Sequence, residues 1–203
     1  QLSKILPPIL WRTECSIPFT HGMTLPSHPI IKQFGDFITG GWLGDASSGA
    51  HLAEFMFLPY SRRQFIDKVH ERYMSGQVAA LRILFQETFL ARYLPGLHDI
   101  FVASFAPIEG ETNGQAFELW DLYERQARMT LSAGPVDSHL FEYVRPFLDR
   151  AYVDFVLTLP ASLRYGQALY QAMIYRLGPE IRDIPNANTG LLLKGSIPEN
   201  MLN

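Results

Sequence analysis

The sequence predicts an α/β protein that is predominantly helical. Apolar residues recur mostly at the three- and four-residue spacing of amphipathic helices, and only one or two short apolar segments have the length of a strand. Hydrophobic residues make up 47% of the 203 residues and charged residues 18%, which is typical of a chain that buries a core. With so few strands, we expect the helical part of an α/β domain, a fragment rather than a complete sheet.

The N-terminal segment, residues 1–33, is expected to be irregular. It has little apolar periodicity and carries several prolines, among them the pair Pro7 and Pro8. We expect one folded region over residues 34–203. Because the sequence begins with Gln1 rather than methionine, we also expect the chain to be a fragment of a longer protein.

The first strand is predicted over residues 36–39, as a buried strand that runs into a glycine-rich turn. Gly40 and Gly41 open this turn and Asp45 closes it. Backbone amides free of side chains can hold phosphate, and a neighbouring aspartate can hold Mg²⁺ that the phosphates also bind. The alternative is a structural turn between a strand and a helix, with Asp45 as the N-cap of that helix.

Helices are expected to follow this turn. Apolar spacing predicts them over residues 62–73, 77–93 and 113–133, with a short helix or strand over residues 99–105. Breaker residues are expected to end the first three helices, at Ser75-Gly76, Pro95-Gly96 and Gly134-Pro135. The buried side of the third helix is expected to consist of Phe117, Trp120, Leu122, Tyr123, Ala127 and Leu131.

A second motif, Val-Arg-Pro-Phe-Leu-Asp at residues 144–149, follows a connector predicted over residues 136–144. Asp149 opens a helix that closes at Pro160, and residues 167–177 form the last predicted helix. Arg145 and Asp149 can form a guanidinium–carboxylate pair, or Arg145 can meet a phosphate. The structural alternative has Asp149 capping the helix while Arg145 supports the turn.

The C-terminal tail, residues 184–203, is expected to be a loop, and it carries Lys194. A lysine on such a loop can fold over a reaction centre and neutralise negative charge as it develops. The alternative is a solvated surface lysine, which is the common state of lysines in loops.

Composition excludes several classes of function. The net charge of −3 provides no basic field for nucleic acid, and no apolar run reaches the roughly 20 residues of a membrane span, so neither partner is expected. Cys15 is the single cysteine, which excludes an internal disulfide and fits a cytoplasmic protein. The six histidines lack metal-ligand spacing, and no G-x-S-x-G, Walker or Rossmann motif occurs.

The two motifs together resemble the synthetase domain of the asparagine synthase family. Aligned on Asp45, Gly41 matches the first glycine of that family's S-G-x-G-x-D-E segment, and Gly40 stands in place of its serine. Residues 144–149 are similar to the family's V-R-x-P-F-L-D motif with one residue missing. Its acidic, aromatic and arginine-bearing helix and its closing loop are similar to residues 117–126 and 185–194, so the likeness covers about residues 30–195.

The resemblance implies the C-terminal part of an adenine nucleotide α-hydrolase-like domain, which cleaves ATP between its α- and β-phosphates. Such a domain activates a carboxylate as an acyl-adenylate with Mg²⁺ present, and an amine donor then attacks. By resemblance, Gly40 and Gly41 lie against ATP, Asp45 lies near the metal and the pyrophosphate, and Lys194 is a candidate for stabilising the transition state. The implied partners are a small-molecule or peptide carboxylate and an amine, and self-association is left open.

Two parts of the family are missing from this sequence, the S-G-G-x-D-S pyrophosphate loop and the glutaminase domain. We expect the pyrophosphate loop to lie upstream of residue 1 in a longer parent, and the chain alone to bind ATP weakly or not at all. Trp42 and Ala46 replace acidic residues of the family. These replacements favour the alternative, a non-catalytic homologue that acts as a helical binding or scaffolding subunit.

Overall fold

The computed structural model describes residues 2–14, 25–132, 138, 140–186 and 190–193. Over these residues the protein is mostly helical with one small parallel sheet, which confirms the expected α/β, predominantly helical character. None of the described helices combines the length and apolar character that spanning a membrane requires. The chain forms two compact units, a first unit made of Gln1–His51 and Asp121–Asn203 and a second unit made of Leu52–Trp120.

The regular elements are numbered in chain order. They are α1 (Leu2–Thr13), α2 (His28–Ile31), β1 (Phe37–Thr39), α3 (Gly44–Ser47), α4 (Arg62–Leu84), α5 (Glu87–Ser104), α6 (Asn113–Trp120), β2 (Glu142–Val144), α7 (Arg150–Thr158), α8 (Ala161–Arg164) and α9 (Ala168–Leu177). A π-helix, Asp121–Thr130, follows α6. Short 3₁₀ turns occur at Leu25–Ser27, Glu54–Phe57, Pro146–Leu148, Tyr165–Gln167 and Pro179–Ile181. The helices predicted to open at Asp149 and to cover residues 167–177 are confirmed as α7 and α9.

Strands β1 and β2 pair in parallel and join segments about one hundred residues apart. Residues 37–39 lie opposite residues 142–144, in order. The Glu142 N–H donates to the Asp36 carbonyl and the Gly40 N–H donates to the Val144 carbonyl, both at 2.9 Å. Strand β2 lies within the segment that was predicted to be a connector. The strand was not predicted because three residues are too few to show a detectable alternation of apolar and polar side chains.

The expectation of a buried first strand is wrong. Ile38 is half-buried, but Phe37 is 65% exposed and Thr39 is exposed as well. Strand β2 has the same pattern, with Tyr143 half-buried between exposed neighbours. Two consecutive apolar residues, Phe37 and Ile38, predict burial on both faces, whereas alternation of exposure is typical of a sheet with one solvated face.

The N-terminal segment that was expected to be irregular contains α1. Ile9 is buried in this helix, and the Thr13 hydroxyl donates a hydrogen bond to the Ile9 carbonyl at 2.8 Å. Pro7 and Pro8 lie inside α1 and remove two backbone donors from it. The two prolines predict a loop, and this signal conceals a helical spacing of apolar residues that the segment does contain, at Leu2, Ile5, Leu6, Ile9 and Leu10.

Helices α4 and α5 pack against each other in the second unit and are joined by Phe85 and Gln86. The predicted helix ends at Ser75-Gly76 and Pro95-Gly96 are both wrong, because these dipeptides lie inside α4 and α5. A glycine inside a helix costs about 1 kcal/mol and a proline about 3 kcal/mol, and packing of an amphipathic face outweighs these local costs in α4 and α5. The chain turns instead at Phe85, where the backbone is extended.

The core of the second unit is aromatic. The rings of Phe105 and Trp120 stack with centroids 5.0 Å apart, and Phe65 meets Phe105 edge-on at 6.0 Å. The Trp120 Nε1–H donates to Ser104 Oγ at 2.8 Å, which satisfies the one polar group of the indole. The predicted burial of Phe117 and Trp120 is confirmed.

The helix predicted over residues 113–133 changes character after Trp120. Residues Asp121–Thr130 form a π-helix, in which backbone hydrogen bonds run from i to i+5. A π-turn contains about one more residue than an α-turn, so side chains at i, i+4 and i+5 share one face. Asp121 and Gln126 are buried on that face. Tyr123 is 64% exposed and Ala127 is exposed as well, so the prediction that these two residues belong to the buried side is wrong.

Candidate functional site

The two sequence motifs meet at one edge of the sheet in the first unit. Because β1 and β2 are parallel, their carboxyl ends lie side by side, with residues 40–45 following β1 and residues 145–149 following β2. Ligands of open α/β sheets bind outside the carboxyl ends of the strands. We call these two turns together the strand-end site.

The two turns of the strand-end site are in direct contact. A Cβ placed on Gly44 would come within 3.0 Å of the Phe147 ring, so a larger residue there would press on that ring. The Ser47 hydroxyl lies 3.1 Å from the Tyr152 hydroxyl and joins α3 to α7. Leu43 has a left-handed backbone (φ 74°) where the chain enters α3. The glycine at residue 44 therefore permits the close approach of the two turns.

The first two glycines of the turn have different surroundings. A Cβ on Gly40 would lie 2.6 Å from Cδ1 of Trp42, so the indole covers this glycine. A Cβ on Gly41 would have nothing within 4 Å. Gly41 is therefore open to a ligand on the side where a side chain would stand, whereas the equivalent space at Gly40 is filled by Trp42.

His51 bridges two carboxylates beside this turn. Its Nε2 lies 3.2 Å from Asp45 Oδ2, and its Nδ1 lies 2.8 Å from Asp121 Oδ2. Asp45 is 64% exposed and Asp121 only 3% exposed. A buried carboxylate, an imidazole and a surface carboxylate thus form a line that ends at the strand-end site. We call these three residues the Asp–His–Asp line.

The π-helix supplies the inner end of the Asp–His–Asp line. Arg125 Nε donates to Asp121 Oδ1 at 2.6 Å, and Gln126 Nε2 donates to Asp121 Oδ2 at 3.2 Å. Arg125 Nη2 lies 2.9 Å and 3.0 Å from the two ring nitrogens of His51. Because these two distances are nearly equal, the guanidinium lies against the imidazole ring and is not directed at one of its nitrogens. The buried Asp121 carboxylate is therefore paired with two basic side chains and an amide, as a buried charge requires.

The charges of the line follow from these contacts. Burial disfavours the charged imidazole, but the hydrogen bonds to Asp121 and Asp45 outweigh it and raise the pKa of His51 to about 9. The hydrogen bond from His51 lowers the pKa of Asp45. Burial alone would raise the pKa of Asp121, but His51 and Arg125 outweigh burial and lower it. Near neutral pH both carboxylates are ionised, and His51 donates to both of them rather than acting as a general base.

Asp45 offers an ionised carboxylate at the surface of the strand-end site. Its Oδ1 accepts the Ala46 N–H at 2.8 Å and its Oδ2 faces His51, so each oxygen keeps lone-pair capacity. Within the part of the chain that the structure describes, no group of three His, Cys, Asp or Glu side chains is arranged to hold a metal ion. Mg²⁺ commonly binds one or two carboxylates together with substrate phosphates, and a single Asp45 fits that mode only.

The second motif divides its roles between two residues. Asp149 Oδ1 accepts the Tyr152 N–H at 3.0 Å and caps α7, which confirms the structural alternative for this aspartate. The Arg145 guanidinium lies over the Tyr143 ring, 5.0 Å from its centroid. Arg145 also lines an open cavity of about 590 Å³, together with Lys32, Asp36 and Glu142. Lys32 is paired with Asp36, so the cavity places Arg145 next to the strand-end site in a wall of mixed charge.

The structure brings Gly40, Gly41 and Asp45 together in one turn, as the sequence predicts, while Lys194 lies outside the described residues. His51 and Asp121 are functional candidates that sequence reasoning misses. Spacing alone treats His51 as one of six scattered histidines, and Asp121 as one of the charged residues that can form ion pairs along the helix predicted over residues 113–133. The one available signal is that His51 directly follows the small-residue segment that contains Asp45.

Comparisons of the chain with protein-family models, with curated proteins and with solved structures found no match in any of the three.

Proposed function

We propose that this chain is part of an ATP-dependent, AMP-forming amide ligase of the asparagine synthase type. In this proposal the strand-end site forms part of the nucleotide-binding site. The observation that carries the proposal is the parallel pairing of β1 and β2, since it puts the glycine-rich turn beside the Arg145 turn. The substrates would be a small-molecule or peptide carboxylate and an amine. We also propose a cytoplasmic location, in keeping with the single Cys15.

Each residue has a limited task in this proposal. Gly41, with open space on its Cα, lets the backbone approach the phosphates closely. Asp45, kept ionised by His51, would hold Mg²⁺ beside them. When bound, ATP supplies the adenylyl group and Mg²⁺ neutralises phosphate charge. Arg145 would contact an anionic oxygen, and Lys194 remains the candidate for stabilising transition-state charge.

ATP–pyrophosphate exchange by the complete gene product, measured with a panel of carboxylates, tests this proposal. We expect exchange that depends on one class of carboxylate, and a loss of at least about tenfold with Asp45→Asn, because this change removes the charge that would face the metal. Asp154→Asn is the matched control, since Asp154 is a surface aspartate 65% exposed on α7. Failure of every carboxylate to support exchange in a correctly folded protein would remove the ligase proposal.

A non-catalytic homologue acting as a helical binding or scaffolding subunit is the second candidate. The observation that favours it concerns Trp42, which replaces an acidic residue of the ligase family. Its indole covers Gly40. Calorimetry with Mg·ATP on the complete gene product, as wild type and as Trp42→Gly, separates the candidates, because the chain alone is expected to bind ATP weakly or not at all. Binding by Trp42→Gly but not by the wild type would identify the indole as the obstacle and support the non-catalytic role. Binding by the wild type would contradict it.

A further inference from the structure

One face of α5 forms an exposed stripe that the proposed function does not use. Its members on α5 are three or four residues apart, which is the spacing of a single helical face, and one further member, Phe85, lies just before this helix. All of them are exposed: Phe85, Phe89, Tyr93, Gly96, Ile100 and Ala103. We call these six residues the α5 stripe. The stripe lies entirely within the second unit, and its members from Phe89 to Ala103 cover most of the length of α5.

The N-terminal half of the α5 stripe is an ordered row of aromatic rings. Phe85 and Phe89 stack with centroids 5.0 Å apart, and Phe89 and Tyr93 are 4.6 Å apart. The Arg92 guanidinium lies 5.3 Å from the Tyr93 ring centroid. Aromatic rings and arginine are the side chains enriched at the energetic centres of protein interfaces. Three rings held by one another lose little conformational freedom when a partner binds.

The C-terminal half of the α5 stripe differs from the first half in size and in charge. Its residues are small or aliphatic, and a Cβ on Gly96 would meet nothing within 4 Å. Two charged residues flank the stripe on the same side, Arg92 in the first half and Asp99 in the second, one heptad apart. The two halves are thus complementary to each other, bulky and cationic against small and anionic.

We propose that the α5 stripe binds the α5 stripe of a second copy of this chain, with the two helices antiparallel. A two-fold axis through the middle of α5 sets the aromatic half of each copy against the small half of the other. The same axis places Arg92 of each copy opposite Asp99 of the other, which forms two reciprocal ion pairs. The two halves of one α5 helix are therefore complementary to each other, which indicates a second copy of the same chain as the partner.

The exposed area limits the size of this contact. The exposed parts of Phe85, Phe89, Tyr93 and Ile100 amount to roughly 450 Å² in each copy, or about 900 Å² in total. That total lies at the low end of specific interfaces. We therefore expect a reversible dimer with a dissociation constant on the order of micromolar.

Sedimentation velocity of the 203-residue chain across about 1–200 µM tests the dimer. We expect a monomer–dimer equilibrium, and at least about a tenfold rise in Kd for Arg92→Asp, because each aspartate would then face Asp99 of the other copy. The double variant Arg92→Asp/Asp99→Arg should return Kd to within about threefold of the wild type. Far-UV circular dichroism checks that the helices of each variant remain intact.

Phe89→Glu should also raise Kd by at least about tenfold, because it places a charge in the centre of the aromatic row. Phe155→Glu, a change at an equally apolar and 61% exposed residue of α7, is the matched control and should leave Kd unchanged. A wild type that stays monomeric throughout the range would overturn the proposal. A dimer that Phe89→Glu leaves intact, or that the charge exchange does not restore, would overturn it as well.

Discussion

Replacing Asp121 by asparagine would remove one charge from the Asp–His–Asp line without changing the shape of the side chain. Asp121 is 3% exposed, and the variant would leave Arg125 and His51 as cations beside a neutral amide. Removing one partner of a buried ion pair costs roughly 3–5 kcal/mol. Because His51 is 20% and Arg125 23% exposed, water offsets part of that cost. We expect Asp121→Asn to lower the free energy of unfolding by roughly 2–3 kcal/mol.

Urea unfolding followed by circular dichroism measures this loss, with Asp154→Asn as the matched control. Asp154 pairs with Arg150 at 3.4 Å on the surface, so its variant should stay within about 0.5 kcal/mol of the wild type. An NMR titration of the His51 ring adds a local measurement, since the pKa of His51 should fall from about 9 in Asp121→Asn. Wild-type stability together with an unchanged His51 pKa would refute the reasoning.

Three further predictions concern pH, backbone and capping. Because folding raises the pKa of His51 from 6.5 to about 9, its stabilising contribution is complete below 6.5 and is lost as pH rises through 9, so urea midpoints should fall across that window. Gly49 has φ +87°, and a Cβ there would lie 2.2 Å from the Arg164 carbonyl oxygen. Calorimetry should therefore show that Gly49→Ala lowers the free energy of unfolding by more than about 1 kcal/mol. Gly41→Ala is the control and should stay within about 0.5 kcal/mol of the wild type, because a Cβ there would meet nothing within 4 Å. Asp149→Ala removes the cap of α7 and should cost about 1 kcal/mol in chemical denaturation.

The glycine-rich turn could be predicted from the sequence because its signals are local. Gly40, Gly41 and Asp45 lie within a few residues of one another, and small residues after a short apolar segment indicate a turn. The pairing of that strand with residues 142–144 could not be predicted in the same way. Strand β2 is three residues long, and its partner is about one hundred residues away. The two motifs are therefore brought together by tertiary structure, which local sequence signals do not indicate.

The helix boundaries in the second unit are a different case, because there the local sequence signals predict the wrong structure. Ser75-Gly76 and Pro95-Gly96 indicate helix ends by their intrinsic preferences, yet α4 and α5 continue through them while packed on each other. The π-helix is a further case, since apolar spacing in ten residues does not distinguish it from an α-helix. For that reason the sequence gives no indication that Asp121 and Gln126 share a face with Arg125.

The π-helix at Asp121–Thr130 has a consequence for recognising relatives of this chain. Each π-turn takes up about one residue more than an α-turn, so a homologue with an ordinary α-helix here would span the same distance with fewer residues. A correct alignment would then need a deletion in the middle of a helix, where alignments are normally kept free of gaps. Superposing the side chains around His51, rather than matching letters along this helix, is the comparison that would recover such a homologue.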